Sequence, residues 1–339
     1  MIARALSVMA VAALAVLARG ARAQAAGAAD SGWPDRRPID VVMFGDPAYR
    51  TKANPRGWNP HIYGNLDASA PDYPQRFRTI MGRFVDACVL RARMKHGGQV
   101  GLFWDIEGQE FLPPVSYVGD PRILPPEMAW RDPAEVEAAK RKGRDAPTVP
   151  TTAQLLCRKF TDAGLRAGGT IRPQVCMNSP YGVRQVQPGE PLVVLTEKIN
   201  YARRELGWTV FYVDSAVESD AWTTVTKEGK ADPHPLPPDL FRKLAETFPD
   251  CLFIPEFAHD GYAAVPRVAP LRFHGNPSRQ AFEVLKPTNN VPTEDEIAEY
   301  VRAMRAGAVT LVSATWDSPE NVWAIRAYRE ARKKMQNDE

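Results

Sequence analysis

Short apolar runs alternate with amphipathic stretches along most of the chain. Residues 38–44 (PIDVVMF), 99–104 (QVGLFW), 170–175 (TIRPQV), 209–213 (TVFYV), 252–255 (LFIP) and 309–313 (VTLVS) are short and mostly apolar or β-branched. Runs of that length bounded by turn residues predict buried strands. Between them, apolar residues recur at steps of three and four. Phe77, Ile80, Met81, Phe84 and Cys88 predict a helix over 75–94. Leu155, Leu156, Phe160 and Ala163 predict one over 151–166, closed by Gly168-Gly169. Leu192, Leu195, Ile199, Ala202 and Leu206 predict another, which Gly207 ends. Further helices are expected over 238–248, 293–306 and 319–335, with a charged helical patch near 133–142.

Strand and helix in alternation is the signature of βαβ units on a parallel sheet. Two weaker apolar runs near 268–273 and 281–286 bring the strands to eight. The expected fold is therefore α/β, a (β/α)8 TIM barrel, with an open doubly wound parallel sheet as the alternative. Of the 339 residues 31 are proline, close to twice the usual share. They concentrate in 47–74 and 109–150, so long Pro-rich βα loops are expected.

Charge changes the picture only at the N-terminus. The formal net charge is +3, and Arg4, Arg19 and Arg22 supply that whole excess before any acid occurs. Arg4, the apolar stretch 5–18 and the small-x-small site Ala21-Arg22-Ala23 read as a signal peptide cleaved after Ala23. The organisation expected is a signal peptide at 1–23, a flexible leader at 24–37 and a single barrel domain at 38–336. The mature protein is then formally neutral, secreted or periplasmic, and monomeric. Neutrality argues against nucleic acid or an anionic membrane surface as partner. Cys88, Cys157, Cys176 and Cys251 show no C-x-x-C spacing and are expected as buried thiols, with two disulfide bridges, which export would permit, as the alternative.

Acids stand where the apolar runs stop: Asp46, Asp105 with Glu107, Asp214, Glu256 and Asp317. Asp46 and Asp317 suit helix N-caps. Asp214 and Glu256 each follow an apolar run with no helix directly behind. Residues two apart share a face of a strand, so Asp105 goes with Glu107, Tyr212 with Asp214, and Ile254 with Glu256. The same parity puts Thr170, Arg172 and Gln174 on one face, which is costly on a central strand unless it serves a site. Asp105 and Glu107 have a second reading, as a structural salt bridge to Arg172.

Paired carboxyls at the mouth of a barrel suit glycoside hydrolysis, one protonating the leaving oxygen and the other attacking the sugar or activating water. Aromatic platforms for a sugar are available in Trp104, Trp130, Tyr181, Tyr212, Trp222, Tyr262 and Trp316. Substrate contacts are expected from Arg172, Trp104, Tyr212, His259, Asp260 and Trp316, with a carbohydrate as the partner and no cofactor. The endings FWDIEG (103–108), FYVDS (211–215) and FIPEF (253–257) resemble those of barrel glycoside hydrolases. GDPRIL (119–124) and KFTDAGLRAGGTIRPQ (159–174) resemble a group of uncharacterised secreted bacterial hydrolase-like proteins. The first resemblance implies Asp214 as nucleophile or base and Glu256 as acid. It implies Asp105 and Glu107 as binders of sugar hydroxyls or as the alternative catalytic pair.

Two rivals use the same residues. A metal-dependent hydrolase would take Asp105, Glu107, His259 and Asp260 as ligands. Against it, the five histidines are scattered and form neither H-x-H nor H-E-x-x-H, so no metal is expected. A non-catalytic glycan-binding barrel would use the same aromatics and acids. Nucleotide, dinucleotide and serine-hydrolase readings lack their glycine-rich or G-x-S-x-G signatures.

Overall fold

Six parallel strands form the main sheet: β1 (Ile39–Val42), β2 (Val100–Phe103), β3 (Arg166–Ile171), β4 (Trp208–Val213), β5 (Leu252–Pro255) and β6 (Leu311–Ser313). Their order in space is β6-β1-β2-β3-β4-β5. From β1 to β5 each strand lies beside its predecessor among these six, and β6 lies beside β1. A doubly wound sheet instead reverses at a switch point. Among the described residues no strand joins β5 to β6, and the two weak runs at 268–273 and 281–286 lie outside them. The computed structural model describes residues 37–42, 51, 57–58, 66–96, 98–103, 106, 109–110, 116–117, 119–176, 183–184, 189–214, 236–255, 291–305, 309, 311–313 and 319–337.

The longer helices among the described residues are α1 (Tyr73–Arg91), α2 (Pro133–Arg141), α3 (Thr152–Asp162), α4 (Pro191–Leu206), α5 (Pro238–Thr247), α6 (Glu294–Arg305) and α7 (Pro319–Asn337). Their starts follow from local chemistry. Asp132 accepts from the Ala134 amide at 2.9 Å to cap α2. Thr151 and Gln154 form a reciprocal capping box on α3, at 3.2 and 2.9 Å. No helix among the described residues is long and apolar enough to cross a membrane.

The expected helix over 151–166 and strand over 170–175 are corrected by four residues. The helix stops at Asp162, β3 begins at Arg166, and Gly168-Gly169 lie inside the strand. A Cβ on Gly168 would meet the Val210 carbonyl oxygen at 2.3 Å, and one on Gly169 the Trp208 ring at 2.0 Å. These glycines permit close approach of β4 and do not end a helix. Of the three polar residues expected on one strand face, only Thr170 is in β3, while Arg172 and Gln174 lie just past its end.

Strand parity sorts the core into two layers, and a register shift between Trp208 and Val210 sets Trp208 in the layer of Phe211. Phe103, Trp208, Phe211 and Phe253 face the helices and pack with Phe77 and Met81 of α1, Phe160 of α3, Ile199 of α4 and Phe241 of α5. Such side chains contribute about 1.5–3 kcal/mol each on burial. The opposite layer holds Ile39, Val41, Val100, Leu102, Val210, Tyr212, Leu252, Ile254, Val309 and Leu311. Among the described residues no helix contributes to that layer. Cys88, Cys157 and Cys251 are buried thiols that form no disulfide.

Candidate active site at the carboxyl ends of β3 and β4

Parallel α/β folds of either kind place their sites at the carboxyl ends of the strands. At that end β3 and β4 run in register, Thr170 opposite Tyr212 and Ile171 opposite Val213. The ladder continues one residue further, the Asp214 amide donating to the Ile171 carbonyl at 2.9 Å. Asp214 is thereby held directly beside the residue that follows β3, Arg172. Its carboxylate is buried, at 5% side-chain exposure, and takes two donors on one oxygen. Arg172 Nε donates to Oδ2 at 2.7 Å and Nη2 approaches it at 2.5 Å. A guanidinium fork fixes the carboxylate in position and supplies its counter-charge.

Behind Arg172 lies a second, deeper group of charges. Lys198, in the middle of α4, has no exposed side-chain surface. Its Nζ donates to the carbonyls of Arg172 at 2.6 Å and Gln174 at 2.7 Å, and stands 4.0 Å from Asp120 Oδ2. Arg122 wraps Asp120, with Nε donating to Oδ1 at 2.9 Å and Nη2 to Oδ2 at 2.7 Å, and Nη1 reaches Glu197 at 3.1 Å. From the other side the Arg172 amide donates to the Gly119 carbonyl at 3.1 Å. Gly119 has φ +50°, and a Cβ there would lie 2.7 Å from the Arg172 nitrogen, so no other residue fits without strain.

Magnitudes show what this arrangement is for. At 4 Å two unit charges attract by about 4 kcal/mol at an effective dielectric of 20. Burying each ion costs several kcal/mol. The two nearly cancel, so the cluster adds little stability and instead dictates where the chain after β3 must lie. Burial alone pushes the Asp120 carboxyl up, but the bonds from Arg122 and the charge of Lys198 outweigh it and hold the group below its ordinary 3.8. Burial pushes the Cys88 and Cys251 thiols up to about 12, which removes them as nucleophiles at neutral pH. Beneath the ion pair, the Thr170 hydroxyl is fully buried and finds no hydrogen-bond partner among the described residues. Such a group costs about 1–3 kcal/mol.

Of the residues expected in the site, the structure brings Asp214 and Arg172 together and sets Tyr212 two residues before Asp214, in the layer away from the helices. Asp105, Glu107, Glu256, Trp104, His259, Asp260 and Trp316 lie outside the described residues, as do the N-cap candidates Asp46 and Asp317. Trp130 is half-buried, with the Arg78 guanidinium 5.7 Å from its ring centre. Among the described residues no group of three His, Cys, Asp or Glu side chains could hold a metal. Sequence reasoning missed Lys198, Asp120 and Arg122. Lys198 left a signal, because it falls three residues after Leu195 and four before Ala202, on the buried stripe of its helix.

The sequence matches no protein-family profile and no curated protein. Solved structures share its backbone in part. An α-N-acetylgalactosaminidase from Bifidobacterium bifidum is 10% identical, over 96% of this chain and 57% of that one, with a TM-score of 0.46. An α-galactosidase from Lactobacillus brevis is 11% identical over 86% and 36%, with a TM-score of 0.39. An α-amylase from Lactobacillus plantarum is 11% identical over 67% and 46%, with a TM-score of 0.31. The chain thus spans about half or less of the amylase and the galactosidase. At scores below one half the likeness decides nothing about this chain's chemistry.

Proposed function

We propose that the protein is a glycoside hydrolase-like enzyme in which Asp214 and Glu256 form the carboxylate pair at the mouth of a closed (β/α)8 barrel. Asp214 acts as nucleophile or base and Glu256 as acid. One observation carries the reading: a buried carboxylate at the carboxyl end of an interior parallel strand, oriented by the arginine just past the end of the neighbouring strand. The register of β4 on β5 supports the choice of partner. It runs Tyr212 opposite Ile254 and Val213 opposite Pro255, and the next residues in sequence are Asp214 and Glu256. Chain-order neighbours from β1 to β5, β6 beside β1, and a sheet face to which no helix contributes among the described residues support barrel closure.

The proposal includes export with cleavage after Ala23, checked by the N-terminal sequence of protein recovered outside the cytoplasm. The reaction is tested on a panel of polysaccharides and aryl glycosides. Asp214→Asn and Glu256→Gln are each expected to lower kcat on the order of 10⁴-fold on the glycan cleaved. Activity that survives both substitutions overturns the assignment. Binding without cleavage of any glycan moves the site to the glycan-binding reading.

A further inference from the structure

We infer that Lys198 is a positioning residue, fixing from the middle of α4 the backbone at Arg172 and, through it, the guanidinium that holds Asp214. The inference rests on the reading of Asp214 as the working carboxylate. The contacts of Lys198 given above go to the chain just past β3 and to Asp120.

An ammonium has three N–H donors. Two go to carbonyls two residues apart, Arg172 at 2.6 Å and Gln174 at 2.7 Å, immediately beyond the last residue of β3. Asp120 stands 4.0 Å from the same nitrogen, itself clasped by Arg122. The Arg172 peptide is thus gripped at both polar atoms, its carbonyl by Lys198 and its amide by Gly119. With the backbone fixed on two sides, the guanidinium is aimed at Asp214 Oδ2. Replacing the ammonium by an apolar chain of similar length strands two carbonyls in a dry interior. They can regain partners only if the segment moves, and the arginine moves with it.

The first test needs no substrate. In the full-length protein, the Arg172 Nε–H donates to a buried carboxylate, so its proton NMR signal, assigned through Arg172→Lys, is expected to exchange slowly with water. Lys198→Met is expected to speed that exchange at least about tenfold. An unchanged rate in folded Lys198→Met overturns the inference. The second test uses whichever glycan is cleaved. Lys198→Met is expected to lower kcat on the order of 10²-fold with KM little changed. In an Arg172→Lys background the same substitution is expected to cost kcat less than about threefold. Equal losses in both backgrounds mark a merely structural lysine and overturn the inference. If the methionine variant does not fold, Lys198→Gln, whose amide retains a donor, is read in its place, with a smaller shift in the same direction. A wild type that cleaves no glycan, but whose Nε–H responds to Lys198→Met, removes the hydrolase reading and leaves the positioning intact. A cleaved glycan with an unmoved Nε–H removes only the role of Lys198.

Discussion

The segment β3-α4-β4 carries an ion pair at each end, and the two are built differently. At the carboxyl end Arg172 meets Asp214 with side-chain exposures of 16% and 5%. At the opposite end Arg203, in the last turn of α4, meets Asp250 in the turn before β5 at 2.8 Å, with exposures of 32% and 51%. The lower pair is an ordinary surface bridge, helped by the Phe248 ring under Arg203 and by Arg166 donating to the Asp250 carbonyl. The upper pair is desolvated and backed by a second buried cation. A fold that needed only to join neighbouring strands would repeat the inexpensive arrangement. Among the described residues of this segment charge is buried at the carboxyl end, which fits the site proposed there.

The sharpest way to break this contrast is to remove one partner from each pair. Asp214→Ala leaves the Arg172 guanidinium facing a low-dielectric interior. It is expected to cost about 3 kcal/mol in urea unfolding, at the low end for a broken buried pair because the arginine keeps some exposure. Gly119→Ala comes next, at about 1–3 kcal/mol, since it imposes a positive φ on a residue with a Cβ and drives that carbon toward the Arg172 nitrogen. A matching change at Gly143, whose φ is also positive but which has open space around it, separates backbone strain from collision.

Acid sharpens the comparison further. The Asp120 carboxyl is held below 3.8, so its contribution to stability is complete above that value and drains away as the pH falls through the lower folded value. Asp120→Asn is therefore expected to flatten the acid limb of a plot of Tm against pH below about 4, with little change in that limb's shape above it. The smallest effect belongs to the lower pair. Arg203→Ala is expected to cost less than about 1 kcal/mol, shared between the bridge and the ring contact. That cost should shrink in 1 M salt, whereas the cost of Asp214→Ala should persist because buried charges are poorly screened.

Much of the scaffold was readable from apolar spacing. The runs at 38–44, 99–104 and 252–255 contain β1, β2 and β5, and 209–213 covers all of β4 but Trp208, because a strand buried on both faces is apolar along most of its length. β3 was misplaced for a physical reason: glycine serves both left-handed turns and close backbone approach, and one sequence does not say which. Asp214 was readable because a lone acid after TVFYV stands out. Its bond to Arg172 was not, since strand neighbours are a property of the sheet; the arginine had instead been weighed as a partner of Asp105 and Glu107. The clasp of Lys198, Asp120 and Arg122 joins a helix to a proline-rich loop far away in sequence, which no local pattern encodes.

The pairing of β1 with β6 sets a timetable for the chain. Ile39 rests against Leu311 and Val41 against Ser313, so the first strand waits for the last before its second edge is covered. Contacts so distant in sequence form slowly. Until they do, β1 presents an apolar, hydrogen-bonding rim of the kind that recruits other chains. Loss of the last segment would then show itself first as self-association of the chain, ahead of any change in its chemistry.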